Sequence, residues 1–194
     1  MLTADEHVFR WINGFVGTWP WFDNVMRLLV SDFFLPVLIA AATLSLWFMG
    51  RTMKERLQNQ MGFIYAGAGA GFVNLFIRFI NEHLARARPF VTLHDVNVLF
   101  YRPTDPSFPS NAAAFAFAMA AGVWLVNRKM GMVVGVGAVL FAFARVYAGM
   151  HFPLDVVGGA LIGILVTWAF HRVLSVLHPV VTFAFRVARA LFLT

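Results

Sequence analysis

The sequence predicts an all-α fold, a polytopic membrane helix bundle, on three observations. Of 194 residues, 60% are hydrophobic and only 12% are charged, where a soluble domain carries roughly 25% charged residues. Several apolar runs match the length of about 20 residues that a bilayer crossing takes. Small residues recur four apart within those runs, at Gly67 and Gly71, Gly131 and Gly135, and Gly159 and Gly163, a spacing that lets helix backbones approach closely. The length suits a single domain, 1–194, with the chemistry-bearing motifs confined to 78–155.

Residues 4–17 place Val8, Trp11, Ile12 and Phe15 on one helical face, the pattern of an interfacial or re-entrant helix. Trp19, Trp21 and Phe22 surround Pro20 and fit an aromatic belt at headgroup level. Five transmembrane spans are predicted, at 25–49, 61–80, 112–126, 130–148 and 154–177, the third being the shortest. The tail at 179–194 alternates Phe and Val with Arg186 and Arg189, which predicts a C-terminal amphipathic helix on the surface. The first six residues carry acid where a signal peptide carries base, so no cleaved leader is expected.

The formal charge is +6, but the 13 Arg and 2 Lys are scattered among the spans. That distribution argues against nucleic acid and for anionic lipid or phosphate as the partner. The absence of cysteine excludes disulfides, thiol catalysis and thiolate metal sites. Alternating connections bring four helix ends to one face, near Arg78 to Pro89, after Pro109, at Arg145 and after His151. The opposite face holds Arg51, Lys54, Arg56, Arg128, Lys129, His171 and Arg172, whereas every acid except Glu55 falls at or near the first face. The positive-inside rule then puts the basic loops in the cytoplasm and the polar face outside.

Charge beside a membrane span is costly and points to function first. Four clusters gather on the polar face. Arg86, Arg88 and Pro89 follow Arg78, Asn81 and Glu82 where the second span stops. Ser107 to Asn111 form a polar turn at the mouth of the third span, whose free backbone N–H groups can bind an anion. Arg145 ends the fourth span, and His151-Phe152-Pro153-Leu154-Asp155 opens the fifth. Arginine forks match phosphate oxygens, which makes an oxyanion pocket. His151 and Asp155, four apart, share a helical face, so the carboxylate can hold one ring nitrogen and leave the other free to attack. Taken singly, Arg88 can snorkel, His151 can cap a helix and Asp155 can complement a helix dipole. All of them aligned on one face favour a site.

These residues resemble the type 2 phosphatidic acid phosphatase superfamily, whose three motifs are Lys-x6-Arg-Pro, Pro-Ser-x-His and Ser-Arg-x5-His-x3-Asp. Arg88-Pro89 matches the first, Pro109-Ser110-Asn111 the second, and Arg145, His151 and Asp155 the third. Within the superfamily, the Arg-Pro-Phe and Ser-Phe-Pro-Ser segments are most similar to bacterial undecaprenyl diphosphatases. The resemblance implies hydrolysis of undecaprenyl diphosphate or a related polyprenyl or lipid phosphate to the lipid monophosphate and inorganic phosphate, recycling a lipid carrier of cell-wall synthesis. It implies that His151 attacks phosphorus to form a phosphohistidine, that Asp155 orients its ring, and that Arg88, Arg145, Ser110 and Asn111 bind the oxyanions. It also implies a multi-pass protein of the bacterial inner membrane with its site on the extracytoplasmic side, working among membrane lipids without metal or other cofactor.

Three positions depart from the motifs. Asn81 stands in place of the first motif's Lys, with Arg78 and Arg86 as candidate substitutes for that cation, and Ala144 replaces a Ser. Ala112 stands where the second motif places the His that the resemblance makes the general acid. Losing such an acid costs about 10²- to 10⁴-fold in rate, so the frame kept around Ala112 reads as an impaired enzyme. A diphosphate, which leaves as a phosphate rather than an alkoxide, is the substrate on which activity survives best. Two alternatives share the residues: a non-catalytic lipid-phosphate binder or carrier, and a lipid phosphotransferase.

Overall fold

The computed structural model describes residues 3–176, so the predicted helix at 179–194 lies outside the described residues. Those residues form helices and no strand: α1 (Ala4–Asn13), α2 (Pro20–Val30), α3 (Phe34–Ser45) running into a 3-10 turn (Leu46–Phe48), α4 (Met53–His83), the single turn α5 (Pro89–Thr92), α6 (Asn111–Trp124), α7 (Arg128–Tyr147) and α8 (Pro153–Val176). Three of these, α4, α7 and α8, are long and apolar enough to cross a membrane. The α2–α3 pair supplies a fourth candidate span, bent by 54°.

The span expected at 25–49 is therefore broken. Pro36 sits in the first turn of α3, and its ring would collide with the carbonyl of Asp32 if the helix ran through. Ser31 turns the chain by accepting a hydrogen bond from the Phe33 amide at 3.2 Å. The break leaves Asp32 at the polar end of the bundle, paired with Arg145. The second span begins at Met53 and not at 61, because Thr52 and Glu55 form a capping box that starts α4 two turns early.

Helix α6 is the pillar of the bundle, packed against α4, α7 and α8. It has 14 residues, about 21 Å at 1.5 Å per residue, and Ala113, Ala114, Ala116 and Ala118 on it are fully buried. Such small side chains permit close contact with α8, where a Cβ at Gly159 would lie 2.3 Å from the Ser110 carbonyl oxygen and one at Gly163 2.3 Å from that of Ala114. The expected close approach therefore holds for Gly159 and Gly163, and for Gly131, where a Cβ would lie 2.5 Å from the Trp124 Cα of α6. It fails for Gly67, Gly71 and Gly135, which face open space. Buried Phe9, Met26 and Val30 pack α1 and α2 onto the polar ends of α7 and α8.

Candidate active site

Asp155 is the hub of the polar end. It lies in the first turn of α8, after Pro153, and is completely buried. Its Oδ2 accepts from the Phe152 amide at 2.9 Å and from the Ser107 hydroxyl at 2.5 Å. Its Oδ1 accepts from Arg86 Nη1 at 2.6 Å. Arg86 donates its other arm to Asp5 of α1 at 2.7 Å, and Asp5 also accepts from the Leu154 amide at 2.9 Å. The Arg86 guanidinium stacks 4.2 Å from the Phe152 ring centroid. One carboxylate thus ties together the loop after α4, the loop before α6 and the start of α8, with α1 clamped over them.

Asp155 is not bonded to the ring of His151, as the spacing of four had suggested. The helix begins at Pro153, so His151 lies before it and the two side chains do not share a helical face. The partner of His151 is Ser107: ring Nδ1 lies 2.9 Å from the Ser107 carbonyl oxygen, an atom that can only accept. Nδ1 therefore carries the proton, and the lone pair is on Nε2. That nitrogen lies 3.2 Å from Arg88 Nη1 and borders a cavity of about 260 Å³. Burial first, then the charges of Arg88 and Arg145, hold the His151 ring well below its ordinary pKa of 6.5. The imidazole is neutral at pH 7.

The same cavity is lined by Arg88, Arg145, Asn111, Ala112, Tyr101 and Asn74. Arg88 is pinned through Nε to the Asp105 carbonyl at 2.9 Å and through Nη2 to the Asp105 carboxylate at 3.0 Å. Arg145 pairs with Asp32, lies 4.7 Å from the Phe141 ring centroid, and has a buried Nε without an acceptor. Both arginines are nearly buried, while the Asp32 and Asp105 side chains are 36% and 58% exposed. Burial and the nearby Asp32 raise the Tyr101 phenol above its ordinary 10.0.

Of the residues singled out by sequence, Arg88, Asn111, Ala112, Arg145 and His151 meet in one cavity. Arg78 and Asn81 line an adjoining one. Arg86 and Ser110 do not line that cavity. Arg86 is engaged behind it, as described, and Ser110 caps α6 by accepting from the Ala113 amide while its own amide donates to the Asp155 carbonyl. Asp5, Asp32, Asn74, Tyr101 and Asp105 were not foreseen. Two carried a signal: Asp32 is a charge inside an apolar run, and Asn74 is an amide inside another, four residues before Arg78 and seven before Asn81.

The chain is 29% identical over 185 residues to the undecaprenyl-diphosphatase BcrC of Bacillus subtilis, covering 95% of this chain and 91% of that protein. It is 33% identical over 161 residues to the putative undecaprenyl-diphosphatase YbjG of Escherichia coli, covering 81% and 76%. Its fold matches the crystal structure of a transmembrane PAP2-type phosphatidylglycerolphosphate phosphatase from Bacillus subtilis with a TM-score of 0.57 at 27% identity, covering 86% of this chain and 82% of that one. The family model of the PAP2 superfamily matches residues 60–178, which take in α4 from its third turn, α5 through α8, and every residue lining the cavity except Asp32 and Pro36. An integral membrane protein of helical fold, the chain belongs to the PAP2 superfamily.

Proposed function

We propose that the chain hydrolyses undecaprenyl diphosphate to undecaprenyl phosphate and inorganic phosphate through a phosphohistidine, at the extracytoplasmic face of the bacterial inner membrane. The observation that carries this reading is the Nε2 lone pair of a neutral His151 bordering a cavity that also holds Arg88 and Arg145. The names of the relatives support the lipid, and the lysines and arginines gathered at the far ends of α4 and α7 support the orientation.

A phosphate entering the cavity displaces the exposed carboxylates of Asp32 and Asp105 and takes the arginine donors they occupy. His151 Nε2 then attacks the terminal phosphorus while Arg88 and Arg145 hold the equatorial oxygens, whose charge grows in the transition state. The ring becomes an imidazolium whose Nδ1–H remains on the Ser107 carbonyl. The Asp155 carboxylate, one hydroxyl away through Ser107, balances that charge and is itself held by Arg86. Water then releases phosphate from the histidine.

Ala112 favours a second reading, a lipid-phosphate binder without turnover, because the alanine offers no proton to a leaving group. Phosphate release from undecaprenyl diphosphate in detergent separates the two. Release by the chain that is lost in His151→Ala, and raised about 10²-fold or more in Ala112→His, supports the phosphatase. Tight binding with no release in any form supports the binder, and a phosphorylated product on added acceptor lipids would mark a phosphotransferase.

A further inference from the structure

A second cavity of about 510 Å³ adjoins the phosphate cavity along the last turns of α4, and the two share Asn74, Asp105 and Asn111 as lining. Asn74, Arg78 and Asn81 follow at i, i+4 and i+7 on one face of α4 and line it, together with the carboxylates of Glu82 and Asp105. The side-chain amides of Asn74, Asn81 and Asn111 have no hydrogen-bond partner among the described residues, and the Asn81 Oδ1 is buried without one. Among the described residues Arg78 is held only by Glu82, at 3.7 Å, and its side chain is 82% exposed. Four donors without firm partners therefore sit beside an oxyanion pocket.

The lining of the oxyanion pocket offers no ready acid, and Glu82, in the second cavity, is paired with Arg78. Ala112 has no proton to give, and Asp32 and Asp105 are paired as carboxylates with Arg145 and Arg88. The Tyr101 phenol is a weaker acid than an ordinary tyrosine, and His151 is the attacking group. A phosphomonoester expels an alkoxide, which needs a proton as its bond breaks. A diphosphate expels a phosphate, which needs only hydrogen-bond donors for its oxygens.

We propose that the cavity bounded by Asn74, Arg78, Asn81 and Asn111 receives the second phosphate group of a diphosphate, the leaving group, and that the chain therefore cleaves phosphoanhydrides in preference to phosphomonoesters. This rests on the phosphohistidine reading above and narrows it. The bond from His151 Nε2 to the terminal phosphorus forms as the bond from that phosphorus to the bridging oxygen breaks. The electron pair stays on that oxygen, and the lipid monophosphate departs without taking a proton. Water then attacks the phosphohistidine, the P–N pair returns to Nε2, one water proton stays on inorganic phosphate and the other passes to solvent.

The test is the ratio of kcat/KM for farnesyl diphosphate to that for farnesyl monophosphate, a ratio that cancels the fraction of folded enzyme. The chain as it stands gives a ratio of at least about 10². Asn81→Leu and Asn74→Leu each lower it about 10-fold, since each removes a donor to a charged oxygen. Ala112→His lowers it by raising the monophosphate rate more than the diphosphate rate. A ratio near one, or one that neither asparagine variant moves, overturns the proposal while His151-dependent hydrolysis leaves the phosphatase reading standing. Rates on both substrates unchanged in His151→Ala overturn both.

Discussion

On the α8 side of the phosphate cavity Asp155 is enclosed and engages three donors, whereas on the α4 side Asn74, Asn81 and Asn111 carry amides that engage nothing among the described residues. The attacking wall is over-determined: Ser107 sets the tautomer of His151, and Arg86 and Asp5 lock the turn that carries it. The departing wall is rich in amides and poor in internal bonds, its charges limited to Arg78, Glu82 and Asp105, and Ala112 lies beside it in the adjoining cavity. On the proposed reading, such a site can make a phosphohistidine but holds no side chain placed to protonate a poor leaving group. The substrate must then bring a good one.

This contrast predicts unequal responses to substitution. Asp155→Ala, which removes a buried charge from under Arg86, Ser107 and the Phe152 amide, should lower stability by about 3 kcal/mol, read as a drop in thermal unfolding temperature in detergent. Ser107→Ala keeps the carbonyl that holds His151 Nδ1 but strips a hydroxyl from Asp155, and should cost about 1–3 kcal/mol with kcat falling more than KM changes. Asn111→Ala, across the cavity, should stay within about 0.5 kcal/mol. An Asn111 variant as unstable as the Asp155 variant would erase the distinction between the walls.

The pH profile sharpens the same comparison from the attacking side. Protonation of Nε2 removes the nucleophile, so the acid limb of kcat/KM reports the His151 ring. With that ring held below 6.5 by burial and by Arg88 and Arg145, the rate stays level as pH falls through 6.5 and drops only further down. A limb at or above 6.5 would mean that the ring is not enclosed as described.

Much of the attacking wall was legible because its information is local. Arg145, His151 and Asp155 stand at fixed short spacings, and Arg88-Pro89 marks the stop of a helix. The link between His151 and Asp155 was misread because spacing of four implies a shared face only inside a helix, and α8 starts two residues after His151. Ser107, Asp5 and Arg86 took their roles from chain crossings 44 to 149 residues long, which no local pattern encodes. Asp32 and Asn74 were readable in principle, as polar residues inside apolar runs. Pro36 after Asp32 and the Thr52–Glu55 capping box were likewise readable in principle, as signals of the break between α2 and α3 and of the early start of α4, but the spans predicted from sequence rested on neither.

The central claim is that a nitrogen of His151 forms a covalent bond to phosphorus. Hydrolysis of a polyprenyl diphosphate whose terminal phosphorus is made chiral with sulfur and oxygen isotopes tests it without needing the intermediate to accumulate. Two successive in-line displacements, first by His151 and then by water, predict net retention of configuration in the released thiophosphate. Inversion would mean that water attacks the lipid diphosphate directly, and would contradict the account.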